Sequence, residues 1–431
     1  MTRPTFILIT GLFLAGCLAE ETGAVRAVPV KPAKPPVIAQ AQTAAASKSP
    51  SSPSSPAAPG NPAASGVDYL YHAKFEPPRG RVLHGMGALD PGNSGYLGLL
   101  ADPVIQPATR QFYLSVGYSP RSWDRRLQGF RRKLQEEAGI GRIPQIDIGL
   151  YGIDPDNGDR VSVDHNVAGS DQYDQHVREL AQVIAAHPDP VFLRIGGEFS
   201  GDWMDYHPYD YPIAFRKVVD IFRAEGADNV AFVWCYQPAA PDDFDQRDSR
   251  GYRWFPGDDV VDWFAIDLFH RKELLNETRL RGVDSPADRT EHFLKMAREH
   301  RKPVMIAECS PARVEITSDP EDGHHDWDDW FVPFLRLFDE HPEIEAFYFV
   351  NQDWRVMGNS AANGWENATI EINPFVGSKW VGEMRKPRYL HLPDVSLLNG
   401  WAAVRTTRPT YKGPGPADPS ENPRAPGRMD R

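Results

Sequence analysis

The chain has 431 residues, 41% of them hydrophobic and 25% charged, with a formal net charge of −12. The length exceeds one average domain, yet a single elaborated α/β barrel can use most of it. The acidic balance argues against nucleic acid, or another strongly anionic polymer, as a partner.

The first residues read as an export signal. Arg3 supplies positive charge, and Phe6 to Ala15 form an apolar stretch too short for a permanent membrane span. The stretch ends in Leu14-Ala15-Gly16-Cys17, which resembles the bacterial lipobox. That resemblance implies that 1–17 comprise a lipoprotein signal peptide and lipobox, and that Cys17 becomes the lipidated first residue after cleavage. Leu18, rather than Asp, follows it, which resembles the pattern of an outer-membrane lipoprotein. Residues 18–66 are rich in Pro, Ala and Ser and cannot bury a core. They read as a flexible tether of roughly 40 Å r.m.s. span.

The globular part is 67–401. Short apolar runs alternate there with amphipathic stretches. Strands are expected at 81–87, 111–118, 143–152, 191–199, 229–238, 261–269, 302–310 and 344–354. Helices are expected at 122–139, closed by Gly139, and at 170–187, capped near Ser170 or Asp171. Further helices are expected near 212–225, at 286–300 and at 326–343. Eight strands with helical crossovers imply a parallel sheet closed into a (β/α)8 barrel. Residues 402–431 are Pro-rich and read as a disordered tail.

Two of the runs end in a glutamate. Glu198 closes VFLRIGGEF and Glu308 closes KPVMIAECS, at the ends of the fourth and seventh strands. The carboxyl ends of barrel strands face the mouth where active sites sit. Two carboxylates brought there from different strands are what glycoside hydrolysis requires, one as proton donor and one as nucleophile or base. Period-two alternation puts Arg194, Gly196 and Glu198 on one face, and Val304, Ile306 and Glu308 on one face. A buried Arg194 must be paired, and a catalytic carboxylate is a fitting partner.

The stretch 192–308 resembles glycoside hydrolase family 26, the family of β-mannanases, β-1,3-xylanases and mixed-linkage β-glucanases. The matching segments are FLRIGGEFSGDW, AFRKVVDIFRAEGADNVAFVW, FPGDDVVDWFAIDLF and KPVMIAECS. The resemblance implies a retaining mechanism, with Glu198 as acid/base and Glu308 as nucleophile, about 5–5.5 Å apart. Two positions depart from the family pattern. Gly197 stands where the family has a His before the acid/base, and Phe269 with His270 stands where it has a Tyr that bonds the nucleophile.

Candidate sugar contacts follow the strand ends. Trp203, Tyr206, Tyr209 and Tyr211 follow Glu198; Trp234 and Tyr236 follow the fifth strand, and Trp354 the eighth. Aromatic faces stack on sugar rings. Asp267 and Asn351 are further candidates, as is Arg194. His84 either bonds a sugar hydroxyl or is satisfied in the core. GHHDWDDW (323–330) matches no standard metal-ligand spacing and reads as a solvated loop before an Asp-rich helix start. No metal and no cofactor is implied. Cys235 and Cys309 read as small buried side chains rather than a disulfide. The expected activity is endo-cleavage of a β-linked polysaccharide by a lipid-anchored enzyme. A non-catalytic glycan-binding lipoprotein and a glycosidase trimming the cell's own exopolysaccharide are the alternatives.

Overall fold

A computed structural model of the protein describes residues 67–87, 92–154, 156–276, 284–357 and 363–407. The expected lipobox, Cys17, the 18–66 tether and the tail beyond 407 lie outside the described residues.

All eight expected strands form, in one closed parallel sheet: β1 Val82–Gly87, β2 Thr109–Gly117, β3 Ile143–Ile153, β4 Val191–Glu198, β5 Val230–Tyr236, β6 Trp263–Leu268, β7 Val304–Cys309 and β8 Ile344–Val350. Each pairs with the next, and β8 pairs back to β1. The fold is a (β/α)8 barrel. Its strands are apolar on both faces because both are covered. Phe192, Ala231, Trp263, Ala265, Met305 and Ala346 fill the inside. Leu193, Phe264, Val304, Ile306 and Phe347 face the helices.

The helices differ from the expectation at their ends. The one after β2 runs Pro120–Ile140, past Gly139, and ends where Gly141 adopts a φ of 78° that a glycine accepts without strain. The helix after β3 starts at Asp174 with Tyr173 as its cap, because Ser170 instead closes the short helix Asp164–Gly169. GHHDWDDW is helical, not a loop. A helix over Pro320–Asp326 leads into a π-type turn, Trp327–Phe331, and then into Val332–Glu340. Pro333 lacks an N–H for the regular ladder, and a wider turn before it absorbs that loss. Among the described residues no helix is long and apolar enough to cross a membrane.

The amino-terminal end of the barrel is stoppered. Phe75, Leu390, Leu398 and Val404 pack on Phe192 and Trp263, and the Trp263 indole donates to the Lys74 carbonyl at 2.7 Å. The expectation of a disordered tail fails over 402–407: Trp401–Thr407 is a helix, Val404 is buried, and Arg405 pairs with Asp189 at 2.5 Å. Closing this end leaves the opposite end, where the strands finish, as the mouth. Trp263→Ala is expected to destabilise the barrel by about 3–5 kcal/mol, by opening a cavity in the stopper. Chemical denaturation of the two proteins measures it.

Candidate active site

Arg194 lies on β4 and is almost completely buried. Its Nη1 meets Glu308 Oε1 at 2.6 Å, its Nη2 meets Asp267 Oδ2 at 2.5 Å, and its Nε lies 3.3 Å from Asp147 Oδ2. One guanidinium thus binds carboxyls from β3, β6 and β7. Burial pulls its pKa down, but Asp267, Asp147 and Glu308 more than offset this and hold it charged. Burial raises Asp267 well above the carboxylate range and Asp147 less so, with Arg194 opposing both shifts.

Glu198 reaches the mouth through a break in β4. Arg194 pairs with Val233 and Glu198 with Cys235, so two extra residues are accommodated between them. Those residues include Gly196 and Gly197, with φ of 84° and 60°. Positive φ at both bulges the strand while keeping Arg194 and Glu198 on the inner face. The Gly197 departure has a physical reason as well. A Cβ there would stand 2.5 Å from Met204 Cε and 3.4 Å from Asp147 Oδ2. Glu198 Oε2 accepts the Trp203 indole N–H at 2.6 Å.

Glu308 also arrives through an irregularity, which corrects the alternation expected on β7. Val304 and Ile306 face the helices, whereas Met305 and Ala307 face inward. The register with β6 shifts between Ile306 and Glu308, which turns Glu308 inward beside Asp267. Its Oε1 accepts Gln111 Nε2 at 2.9 Å in addition to Arg194.

Glu198 and Glu308 are both almost fully buried, and each feels the other's charge or its neighbours'. Burial is the largest cause of the rise in both; Arg194 opposes it. The values, about 7 for Glu198 and about 8 for Glu308, belong to the pair. A guanidinium and an amide hydrogen-bond Glu308, while Glu198 has one neutral indole donor, so hydrogen bonding favours ionisation more at Glu308.

Several expected contacts are structural instead. Arg194 and Asp267 are consumed by the ion-pair cluster and position other groups; neither is exposed to a ligand. Trp234 is fully buried between barrel and helices, stacked on Phe199 at 4.5 Å. Tyr236 is buried and donates to the Ala240 carbonyl. His84 bonds His391 and Tyr96, and burial lowers its pKa well below the usual value. Asn351 joins Gly92, Ile370 and Glu371 behind the eighth strand. Tyr206 and Tyr211 are core residues, and Tyr209 bonds Asp248 under Arg250. Trp354 is buried on Ser310 and Trp365, which leaves half-buried Trp365 as the more accessible indole on that side. Trp203 is half-buried at Glu198. Cys235 and Cys309 are unlinked and buried.

Gln111, Tyr113, Asp147 and Trp365 are site residues that sequence reasoning missed. The first three were legible: each is a polar group on a barrel strand, in register with the inner face. Tyr113 pairs with Asp147, and Asp147 with Arg194.

No family model matches the chain. A β-1,3-xylanase of Alcaligenes sp. is 28% identical over 255 residues, 54% of this chain and 50% of its own. The β-1,3-xylanase TXYA of Vibrio sp. is 29% identical over 251 residues, 53% of this chain and 50% of its own. The chain thus spans about half the length of these curated relatives. In fold it is similar to the catalytic domain of the family 26 endo-β-1,4-mannanase of Bacillus sp. JAMB-750. There the TM-score is 0.51 and the identity 15%, over 75% of this chain and 90% of that one. A modular family 26 endo-β-1,4-mannanase of Cellulomonas fimi gives a TM-score of 0.50 and 16% identity, over 73% of each chain. The chain is thus similar in sequence to β-1,3-xylanases over about half its length, and similar in fold to family 26 mannanases.

If chemistry requires one ionised and one protonated glutamate, kcat/KM must follow a bell in pH. Below about 7 both are protonated and no nucleophile remains; above about 8 both are ionised and no acid remains. The expected maximum lies between those values, and a pH–rate profile on any polymer that the chain hydrolyses measures it.

Proposed function

We propose that the protein is a retaining glycoside hydrolase that cleaves a β-linked polysaccharide within the chain. The observation that carries this reading is the asymmetry of two buried glutamates from the fourth and seventh strand ends. Glu308 is bound to a guanidinium and suits a nucleophile; Glu198 faces a neutral indole and suits a proton donor. Relatives named β-1,3-xylanases support the reaction class and make a β-linked xylan the first substrate to try.

In the first step a Glu308 oxygen bonds to the anomeric carbon as the glycosidic C–O bond breaks. The bonding pair leaves on the departing oxygen, which takes the Glu198 proton. In the second step Glu198, now a carboxylate, removes a proton from water. The water oxygen attacks the anomeric carbon and releases Glu308. Trp203 and Trp365, the two half-buried indoles beside this site, are the side chains suited to sugar stacking.

The test is hydrolysis of β-1,3-xylan, β-mannan, mixed-linkage β-glucan and bacterial exopolysaccharides by the full chain, Glu198→Gln and Glu308→Gln. Activity on one polymer that falls by at least about 1,000-fold in both variants is expected. Glycan binding without hydrolysis, unchanged in both variants, would sink the reading in favour of a binding protein. The amino terminus supports a second proposal: a lipid on Cys17 tethers the enzyme to an envelope membrane. Membrane fractionation of bacterial cells should find the wild type with lipid and Cys17→Ser in the soluble fraction. Equal partitioning of the two would contradict it.

A further inference from the structure

Glu308 is held by one oxygen only. Oε1 accepts from both Gln111 and Arg194, at 2.9 and 2.6 Å. Oε2 is buried and accepts no hydrogen bond from any described residue. A buried acceptor left open in a fully packed site needs a reason. Gln111 lies on β2, across the barrel from β7, and is buried. Its amide orientation follows from the partner: an ionised carboxylate only accepts, so Nε2 faces Glu308 and Oε1 turns away. Oε1 turns into space that exists because residue 87 is glycine. A Cβ on Gly87 would stand 2.3 Å from Gln111 Oε1.

We propose that Gln111, seated by Gly87, is a positioning residue that fixes Glu308 Oε1 as the spectator oxygen and leaves Oε2 as the attacking atom. The proposal rests on the retaining reading of the site. As Oε2 bonds to the anomeric carbon, Oε1 becomes the carbonyl oxygen of the glycosyl ester and still accepts from Gln111 and Arg194. When water displaces the ester, the electron pair returns to Oε2, and the donors at Oε1 stabilise the carboxylate that reforms. Both half-reactions therefore use the same contact.

A donor to the ionised form favours ionisation. Gln111 thus lowers the pH at which Glu308 becomes a nucleophile. The other charged or titratable groups facing Glu308 are Tyr113 from β2, Asp147 from β3, Arg194 and Glu198 from β4, Cys235 from β5, Asp267 from β6 and the adjacent Cys309 on β7. Substitution at Gln111 or Gly87 leaves all of them in place.

Gln111→Leu keeps the size and removes the donor. In the full chain, kcat is expected to fall about 10- to 100-fold with KM little changed. The acid limb of the pH–rate profile should move to higher pH while the alkaline limb stays. Gly87→Ala displaces the amide without touching Glu308, and should shift the same limb by less. An acid limb left in place in a folded Gln111→Leu enzyme overturns the proposal. Should that variant not fold, an unmoved acid limb in Gly87→Ala overturns it equally. Carboxyl-carbon NMR titration of glutamate-labelled protein, with Glu308→Gln for assignment, reads the same shift without substrate. A chain that hydrolyses nothing would thus defeat the hydrolase reading, and the titration alone would still decide the Gln111 contact.

Discussion

Arg194 is the constraint on which the site depends. One buried guanidinium answers to carboxyls from three other strands. Taking these charges out of water costs several kcal/mol for each ion, and the attraction between them offsets that cost only where the geometry is close. The geometry is close because the barrel register sets Asp147 beside Arg194, and Asp267 beside Glu308. Carboxyls outnumber the cation, so the cluster cannot lose all its protons at neutral pH without a large penalty. The scarcity of positive charge favours keeping protons in the site. The unequal donors on Glu198 and Glu308 bias which of the two ionises.

Both glutamates reach this cluster through departures from regular strand. Gly196 and Gly197 take up the positive φ that bulges β4, and β7 slips register just before Glu308. A regular β7 would have turned Glu308 toward the helices with Val304 and Ile306. The same small residues admit bulky neighbours. Gly196 yields to the Tyr211 ring, Gly197 to Met204, and Gly87 to the Gln111 amide. Function is thus written in the irregular ends of the strands, while their regular middles hold the barrel closed.

The fold was legible because fully buried parallel strands leave continuous apolar runs, and all eight are plain in the sequence. The two glutamates were legible for the same reason, as charges ending such runs. Strand parity misled at Glu308, since a register slip leaves no trace in the pattern of apolar residues. Aromatic content misled further: Trp234 and Tyr236 follow a strand toward the mouth but point outward into helix packing, and composition carries no direction. Gln111 and Asp147 obey the rule that exposed Arg194, a polar group on an inward face.

If Glu308 attacks the sugar directly and Glu198 serves first as acid and then as base, the anomeric configuration is inverted twice and so retained. The stereochemistry of the first product tests this most directly. Proton NMR of the reducing end freshly released from any β-linked polymer that the chain is found to cleave should show the β anomer first, with the α anomer appearing only through mutarotation. Initial release of the α anomer would mean a single displacement by water, and would contradict Glu308 as the nucleophile.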